Sequence, residues 1–370
     1  MRSLIRSSAL VVLLCLNACG SDDDEDQRST TYLSPQARRE LEALGVEGYR
    51  GKARITETVS KGDATRVTYD PASGPICLWG EPYGAFYIDR GSDKTMLLLD
   101  GGGACWTGFC AATPEAEETV SLMGPAVQDP GNYFSDWNVV FAPYCDGSVF
   151  SGDNEVAQPD GTTRYHHGRQ NLAAAFDLAA EHFGHSKQVL VGGFSAGAYG
   201  TLPAMIAARL VFPEADLFIM NDSGAGIQNP AQGADTETRL AEWKYDEVIP
   251  PSCTACDGGR AQLSELFSWF LKNDSNVRIS ILGYYRDGVI GVLFNKFEPE
   301  EYERVLKTET GKHAAAYPDR FKRYMVPGDK HVLSSDWLTI TADGVKLSDW
   351  MGAMAQGNDA VWKDLLATGM

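Results

Sequence analysis

The apolar residues of this chain form short uninterrupted runs. These runs alternate with longer segments in which apolar residues recur every three or four positions, as in a helix. Four of these runs are TMLLLD, WNVVFAPY, KQVLVGG and ADLFIMND, which begin at residues 95, 137, 187 and 215. Most end in glycine or polar residues, as expected for strands that are buried on both faces of a sheet. Between them, residues 168–183 carry apolar side chains at helical spacing, and another helix is predicted to open at residue 198.

This alternation predicts an α/β fold with a mainly parallel central sheet and helices on both faces. The chain shows no internal repeat and no linker, so residues 34–370 are expected to form one domain with an insertion around 226–260. In such sheets the functional groups lie at the carboxyl ends of the strands. Further predicted elements are a helix over 34–44, strands over 277–285 and 337–344, and a last helix from Ser348.

The end of the third run carries the strongest chemical motif. Gly193-Phe194-Ser195-Ala196-Gly197 directly follows a predicted strand and precedes a predicted helix. Glycines two positions before and after the serine let the strand and the helix approach closely, and they place Ser195 at a strained turn above the sheet. We predict that Ser195 is a nucleophile and that the N–H of Ala196 helps to bind an oxyanion. A tight turn without chemistry is the alternative.

A serine hydroxyl needs a neighbouring base, and in folds with this motif the acid and the base follow the serine along the chain. Of the six histidines, only His313 and His331 lie after Ser195. His331 is favoured because it stands in a loop before an apolar run, where an imidazole can reach the edge of the sheet. His313 belongs to a segment that is expected to form a surface-facing helix.

Two aspartates follow predicted strands between the serine and this histidine. Asp287 stands at the end of the strand over 277–285 and precedes a glycine, and it is the favoured acid to orient the imidazole. Asp222, at the end of the preceding strand, is the alternative acid.

The run that ends at Asp100 continues into three glycines, residues 101–103. Backbone without side chains can approach a reacting carbonyl and direct N–H groups at its oxygen. Gly102 and Gly103 are therefore predicted to complete the oxyanion site with Ala196. A nucleotide-phosphate loop is the alternative, but the segment has neither the G-x-G-x-x-G pattern nor the lysine of a P-loop. The predicted chemistry uses no cofactor and no metal ion.

The first residues have the layout of a bacterial secretory signal. Two arginines precede a short apolar run, and Leu-Asn-Ala-Cys follows at residues 16–19. The pattern predicts a lipoprotein-type signal peptide over 1–18, a lipid on Cys19 and an acidic flexible tether over 19–33. Location at the cell envelope, or in the periplasm or the medium, is therefore expected. A plain signal peptide with an incidental cysteine is the alternative.

Export changes the interpretation of the remaining cysteines, which are Cys77, Cys105, Cys110, Cys145, Cys253 and Cys256. An even number in an oxidising compartment favours disulfides, and six cysteines allow 15 pairings. Short separations favour Cys105–Cys110 and Cys253–Cys256, which leaves Cys77 for Cys145. A zinc site at the Cys-x-x-Cys pair is the alternative, although no second such pair exists.

The charge of the chain limits its partners. A formal net charge of −18 at pH 7 disfavours a nucleic-acid surface, which needs clustered lysine and arginine. It also disfavours capture of a polyanion by overall charge, although a local basic pocket is compatible with it. The expected partners are an ester substrate and, through the lipid, a membrane.

Four segments taken together resemble the pectin acetylesterase and Notum family of serine carboxylesterases, in its bacterial secreted branch. The segments are GGGACW, APYCDGSVFSGD, GGFSAGAYG and NDSGAG, and the resemblance extends over roughly residues 70–335. It implies an α/β-hydrolase fold and removal of O-linked acyl groups by Ser195, Asp287 and His331. It also implies that Gly102, Gly103 and Ala196 bind the oxyanion. Trp106 matches an aromatic residue beside the glycines, which lines the acyl pocket or belongs to the core.

These observations predict an exported carboxylesterase that acts on an acetylated carbohydrate or a related ester through a Ser-His-Asp acyl-enzyme mechanism. The choice of acetyl rests on the resemblance. Two alternatives stay open: a broad esterase or lipase for longer acyl chains, and a non-catalytic surface binding protein on a hydrolase scaffold.

Overall fold

A computed structural model describes residues 32–120 and 122–368 of the chain. The predicted signal peptide, the lipid on Cys19 and nearly all of the predicted tether lie outside the described residues. None of the helices in the described ranges has the length and apolar character needed to cross a membrane.

Strands and helices alternate along most of the described chain. The strands are β1 (Ile55–Lys61), β2 (Ala64–Tyr69), β3 (Gly84–Ile88), β4 (Lys94–Leu99), β5 (Gly103–Trp106), β6 (Phe109–Ala112), β7 (Asn138–Ala142), β8 (Asn154–Ala157), β9 (Thr163–His166), β10 (Gln188–Phe194), β11 (Asp216–Asp222), β12 (Val277–Tyr284), β13 (Phe321–Val326), β14 (Thr341–Ala342), β15 (Val345–Lys346) and β16 (Leu365–Leu366). The α-helices are α1 (Pro35–Glu42), α2 (Gly168–Phe183), α3 (Ala196–Val211), α4 (Gly233–Trp243), α5 (Glu265–Asn273), α6 (Pro299–Ala316) and α7 (Leu347–Gln356).

Ten strands form the central sheet, in the order β1-β2-β3-β7-β4-β10-β11-β12-β13-β16. From β7 to β16 every neighbouring pair is parallel. The first strands, β1 to β3, extend this sheet on one side as an antiparallel edge. The predicted α/β class, with a mainly parallel sheet of the α/β-hydrolase type, is confirmed.

The solid apolar runs are buried because alternate side chains enter two different cores. In β4, Leu97 and Leu99 face the core that is covered by α1 to α6. Met96 and Leu98 face the second core, which is closed by α7 and by tryptophans from the loops. Since both faces are covered, both sets of positions must be apolar, which is the pattern that the runs show. The centre of the sheet is β10, between β4 and β11, and its end carries Ser195.

The predicted strand over 337–344 is wrong for most of its length. The carbonyl oxygen of Asp336 accepts hydrogen bonds from the N–H groups of Thr339 and Ile340, which closes a turn. Only β14 lies within the predicted range, and it pairs with β15 as a short hairpin across Asp343-Gly344. Both turn residues have positive φ, 49° and 79°, as a tight Asp-Gly hairpin requires. The insertion around 226–260, for which no helix was predicted, contains α4.

The six cysteines form three disulfides: Cys77–Cys145, Cys105–Cys110 and Cys253–Cys256. The expectation of disulfide bonds is confirmed, and the pairs are those that the separations favour. Because Cys253 and Cys256 are bonded to each other, they offer no thiolates to a zinc ion.

The three bonds are expected to contribute unequally to stability, since a disulfide acts largely by restricting the unfolded chain. Cys77 and Cys145 are 68 residues apart, whereas Cys253 and Cys256 are three apart. Replacing the first pair by alanine should lower the free energy of unfolding by about 4 kcal/mol, and replacing the second by about 1–2 kcal/mol. Denaturant unfolding of both variants measures the difference. Equal losses would show that loop closure is not the main contribution.

Candidate active site

Ser195 occupies a strained turn between β10 and α3. Its φ of 54° and ψ of −115° are unusual for a residue with a side chain. The flanking glycines are sterically required: a Cβ atom on Gly193 would lie 2.0 Å from the carbonyl oxygen of Gly197, and one on Gly197 would lie 2.1 Å from the carbonyl oxygen of Leu99. The chain therefore holds the serine hydroxyl at the carboxyl edge of the sheet.

His331 and Asp287 form a hydrogen-bonded pair at the same edge of the sheet. The Nδ1–H of His331 donates to Oδ2 of Asp287 at 2.8 Å. The other carboxylate oxygen accepts the N–H groups of Val289 and Ile290, both at 2.9 Å, so the carboxylate is fixed from both sides. Nε2 of His331 is buried and has no hydrogen-bond partner among the described residues. The imidazole is thus oriented at one nitrogen and available at the other.

Asp222, the alternative acid, bonds to the backbone and does not form a hydrogen bond with His331. Its carboxylate accepts the N–H of Leu333 at 3.0 Å and the N–H of Ser334 at 2.7 Å. Its backbone carbonyl accepts the N–H of Ser195 at 3.0 Å. Burial raises the pKa of Asp222, although the hydrogen bonds and the charge of a protonated His331 act in the opposite direction. This residue therefore fastens the turn that carries the serine to the loop that carries the histidine.

Two further contacts tie these segments together. The N–H of Val332 donates to Oγ of Ser223 at 3.2 Å, and this valine has a strained φ of 62°. A Cβ atom on Gly124 would lie 3.1 Å from the side chain of Ser334 and 3.2 Å from the ring of Phe194. Phe194, next to Ser195, and Ser334, in the loop that carries His331, therefore pack against the same glycine, Gly124.

His313 lies on α6 as expected, but it is buried and does not face the surface, which corrects the sequence prediction. Its Nδ1 and Oγ of Ser268 are 2.6 Å apart. Burial lowers the pKa of His313 to about 4. The side chain packs near Phe321 of β13, a strand that was not predicted from the sequence. His313 is thus a neutral core histidine.

The glycine segment contacts Ser195 through Gly101, which was not among the residues predicted for the site. A Cβ atom on Gly101 would lie 3.1 Å from Cβ of Ser195. The next glycine faces Tyr144, and a Cβ atom on Gly103 would lie 1.8 Å from the carbonyl oxygen of Ala111 in the β5–β6 hairpin. The N–H of Gly102 has no hydrogen-bond acceptor among the described residues. The close approach of the glycines is therefore observed, and the oxyanion role of Gly102, Gly103 and Ala196 stays a prediction.

Asp100 precedes these glycines and is a carboxylic acid with a perturbed pKa. Burial raises its pKa to about 6, and the nearby charge of Glu117 acts in the same direction. The folded chain therefore binds more protons than the unfolded chain between pH values of about 4 and 6. Over that range the contribution of Asp100 to stability falls as the pH rises, and the loss remains above pH 6.

Replacing Asp100 by asparagine should therefore stabilise the protein by about 1–2 kcal/mol at pH 7.5. The gain should shrink as the pH falls towards 4, where the carboxyl group is neutral in both states. Denaturant unfolding at several pH values measures it, with Asp63→Asn, at an exposed position, as the control. A gain that does not depend on pH would contradict the electrostatic explanation.

Trp106 follows the glycines and is almost fully buried. Its ring packs against Phe109, Trp243 and Phe294, and its Nε1–H donates to Oδ1 of Asp235 at 3.1 Å. It therefore belongs to an aromatic cluster, and a role in lining an acyl pocket stays a prediction. Sequence reasoning did not predict that this cluster contains a buried arginine, Arg239 of α4. The sign of it in the sequence is that Arg239 lies on the same face of α4 as the apolar residues of that helix.

Comparison with known proteins agrees with this architecture. The family model of the pectinacetylesterases matches residues 56–255 of this chain. Pectin acetylesterase 4 of Arabidopsis thaliana is 32% identical over 204 residues, which is 49% of this chain and 50% of the relative. Pectin acetylesterase 5 is 31% identical over 144 residues (35% and 34%), and pectin acetylesterase 7 is 26% identical over 214 residues (50% and 52%), both from the same plant.

The chain spans about half the length of the curated relatives it matches, and in some cases less. The matched region contains Ser195 and the glycine segment. Asp287 and His331 lie beyond residue 255, where the family model ends. The pairing of these two side chains therefore rests on the structure of this chain.

Proposed function

This chain belongs to the pectinacetylesterase family, and we propose that it is an exported serine carboxylesterase that removes acyl groups, acetyl above all, from a carbohydrate. One observation carries the proposal. The Asp287 carboxylate orients the imidazole of His331, whose Nε2 has no partner in the part of the chain that the structure describes. This pair lies at the sheet edge where Ser195 is held in a strained turn. A nucleophile, a base and an acid in these positions perform acyl transfer.

In the proposed mechanism, Nε2 of His331 accepts the hydroxyl proton as Oγ of Ser195 attacks the acyl carbonyl carbon. Asp287 stabilises the imidazolium that forms and keeps Nδ1 as the donor nitrogen. The imidazolium then gives its proton to the departing sugar oxygen, and the acyl group remains on Ser195. A water molecule, activated by the same histidine, releases the carboxylic acid and restores the serine.

The developing oxyanion is proposed to bind the N–H groups of Ala196, Gly102 and Gly103. Ala196 is the first residue of α3, so its N–H has no carbonyl partner within the helix, and the helix dipole favours negative charge there. The N–H of Gly102, which has no acceptor within residues 32–120 and 122–368, supports its choice as a second donor. Such donors act mainly on the transition state, where the charge develops.

Export is part of the proposal. Three disulfides support an oxidising compartment, because reducing conditions in the cytosol disfavour them. The signal and the lipid on Cys19 that the sequence predicts agree with that compartment. If Cys19 carries the lipid, the membrane is also a partner of the protein.

A second candidate substrate is an ester with a longer acyl chain. The turn of π-helix over Gly288–Phe294 follows Asp287 directly. It exposes Val289, Val292 and Leu293, the last with 60% of its surface accessible. Exposed apolar side chains beside a catalytic group favour contact with an apolar ligand.

The test is acid release from a panel of esters: acetylated pectin, acetylated xylan, p-nitrophenyl acetate and p-nitrophenyl octanoate. The proposal predicts release of acetate from a polysaccharide and faster hydrolysis of the acetate ester than of the octanoate. Preference for octanoate would favour the second candidate. If the folded protein hydrolyses none of the esters, the chain is not an esterase and a binding function would replace the proposal.

A further inference from the structure

One of the three disulfides is open to attack from solution. Cys110 is exposed on β6, whereas its partner Cys105 is buried, as are the cysteines of the other two bonds: Cys77, Cys145, Cys253 and Cys256. A disulfide is exchanged only when a thiolate reaches one of its sulfur atoms, so exposed disulfides are the labile ones. Among the described residues, Cys105–Cys110 is therefore the bond that a thiol from outside meets first.

The buried half of this bond lies beside a cation. Nη1 of Arg164 is 3.8 Å from Sγ of Cys105, and the Nε–H of the same side chain is buried without an acceptor in the described ranges. Glu242 pairs with Nη2 and holds the guanidinium in place. A guanidinium stabilises a neighbouring thiolate, and a stabilised thiolate leaves faster in an exchange reaction. Attack at Cys110, with Cys105 as the leaving sulfur, is thus the favoured direction.

The bond joins a firmly held strand to an exposed one. In the β5–β6 pair, Cys105 and Cys110 lie directly opposite each other. The N–H of Cys105 donates to the carbonyl oxygen of Gly147 at 2.7 Å, and its carbonyl oxygen accepts the indole N–H of Trp243 at 2.9 Å. Every residue of β6 is at least partly exposed, and the hairpin is separate from the central sheet. Without the disulfide, β6 is held mainly by its pairing with β5, and an isolated two-stranded pair is only marginally stable.

The exposed strand packs against the glycine segment that contacts Ser195. A Cβ atom on Gly103 would lie 1.8 Å from the carbonyl oxygen of Ala111 in β6. Just beyond this strand, the N–H of Thr113 donates to the carbonyl oxygen of Gly102 at 2.7 Å. These two glycines are the ones proposed to bind the oxyanion. Loosening β6 therefore removes a wall and a hydrogen bond from that segment, whereas the hydrogen bonds of the histidine–aspartate pair do not involve β6.

We propose that Cys105–Cys110 is a thiol–disulfide exchange site through which a protein dithiol lowers the activity of the esterase. One thiolate of the dithiol attacks Sγ of Cys110, the S–S bond breaks, and Cys105 leaves as a thiolate. The second thiolate of the dithiol attacks its own sulfur in the mixed disulfide and releases Cys110. Two electrons pass from the dithiol to this bond, the two protons that the dithiol loses end on the two new thiols, and the dithiol becomes a disulfide. The loss of activity rests on the proposed function, whereas the exchange does not.

Graded reduction of the folded protein tests the exchange and requires no ester. The protein is incubated with dithiothreitol or with glutathione, free thiols are blocked with N-ethylmaleimide, and the modified cysteines are identified by peptide mass spectrometry. Cys105 and Cys110 should be modified about 10-fold faster than the cysteines of the other two bonds, and the glutathione adduct should lie on Cys110. Earlier reduction of either other bond, or an adduct mainly on Cys105, would overturn the proposal.

The contribution of the cation is measured with Arg164→Gln. Reduction of this variant should be about 10-fold slower, because the leaving thiolate loses its positive neighbour. The matched control is Arg54→Gln, which removes an exposed arginine paired with Asp70 and should react like the wild type. Reduction of Arg164→Gln as fast as the wild type would contradict the direction of attack. If this variant does not fold, the position of the glutathione adduct in the wild type decides.

Kinetics with p-nitrophenyl acetate measure the effect on activity. Selective reduction of Cys105–Cys110 should lower kcat by about 10–100-fold with little change in KM, since oxyanion donors act mainly on the transition state. Reoxidation should restore kcat. The double variant Cys105→Ala/Cys110→Ala should have the low kcat in oxidising and reducing buffers alike. The matched control, Cys253→Ala/Cys256→Ala, lacks the other short-range disulfide and should respond to reduction as the wild type does.

The two experiments distinguish failure of this inference from failure of the proposed function. An unchanged kcat after the reduction has been verified by mass spectrometry overturns the regulatory effect and leaves the esterase in place. If the oxidised protein hydrolyses no ester, the proposed function fails, and graded reduction still decides whether Cys110 is an exchange site.

Discussion

Replacing Ser195 by alanine is expected to lower kcat/KM for p-nitrophenyl acetate by a factor of about 10⁴ to 10⁶. The hydroxyl is the group that forms the acyl intermediate in the proposed mechanism, so no other side chain can replace it. Alanine keeps the Cβ atom, and the strain at φ 54° is therefore the same in both proteins. Steady-state kinetics measure the loss, and thermal unfolding should give an unchanged midpoint.

The matched control for this variant is Ser60→Ala, at an exposed position in β1. It also removes one serine hydroxyl and should leave both kcat and KM as in the wild type. Near wild-type turnover by purified Ser195→Ala would exclude this residue as the nucleophile.

A second large effect is expected at the two aspartates near the carboxyl ends of adjacent strands: Asp222 is the last residue of β11, and Asp287 follows β12. Asp287→Asn should lower kcat by about 10³ to 10⁴. The asparagine keeps the shape of the side chain, but its amide can donate to Nδ1 of His331 and so favours the tautomer in which Nε2 carries a proton. A histidine in that form cannot accept the proton of Ser195.

Asp222→Asn is the matched comparison, because it changes the same group at the end of β11. It should lower the free energy of unfolding by about 1–3 kcal/mol, since one of the N–H groups of Leu333 and Ser334 loses its acceptor. Its effect on kcat should be much smaller than that of Asp287→Asn. Kinetics and denaturant unfolding of both variants distinguish the roles; the reverse order of the kcat effects would make Asp222 the acid.

The environment of Ser195 could be predicted from sequence because it is local. A solid apolar strand, two glycines at fixed spacing and a following helix determine the turn within a few residues. The helix over 168–183 was predicted with its observed bounds for a similar reason, since its apolar spacing and the glycine that follows it are both nearby. Local patterns of this kind do not depend on the rest of the fold.

The choice between Asp222 and Asp287 could not be settled in that way. Both follow neighbouring parallel strands, and Asp222 is in register with Leu282 of β12. Which carboxylate meets the imidazole depends on the loop after β13, whose path is set by contacts with residues more than 100 positions away. The strand order itself, with its antiparallel edge of β1 to β3, is a long-range property of the same kind.

Arg239 of α4 shows the same limit for a buried charged side chain. Its neighbours Trp106, Phe294 and Asn295 come from segments far apart in the chain, so no local motif marks the group. Among the described residues it has no carboxylate partner, and this becomes visible only when the other buried arginines are seen to be paired. Sequence patterns therefore indicate a local turn such as that at Ser195 better than they indicate a buried polar group whose neighbours are distant in the chain.

Covalent labelling with diethyl p-nitrophenyl phosphate measures whether His331 activates Ser195. Peptide mass spectrometry should find one diethylphosphoryl group on Ser195, gained in step with the loss of esterase activity. Ser195→Ala and His331→Ala should remain unlabelled under the same conditions. Full labelling of a different residue, or equally fast labelling of Ser195 in His331→Ala, would contradict the account.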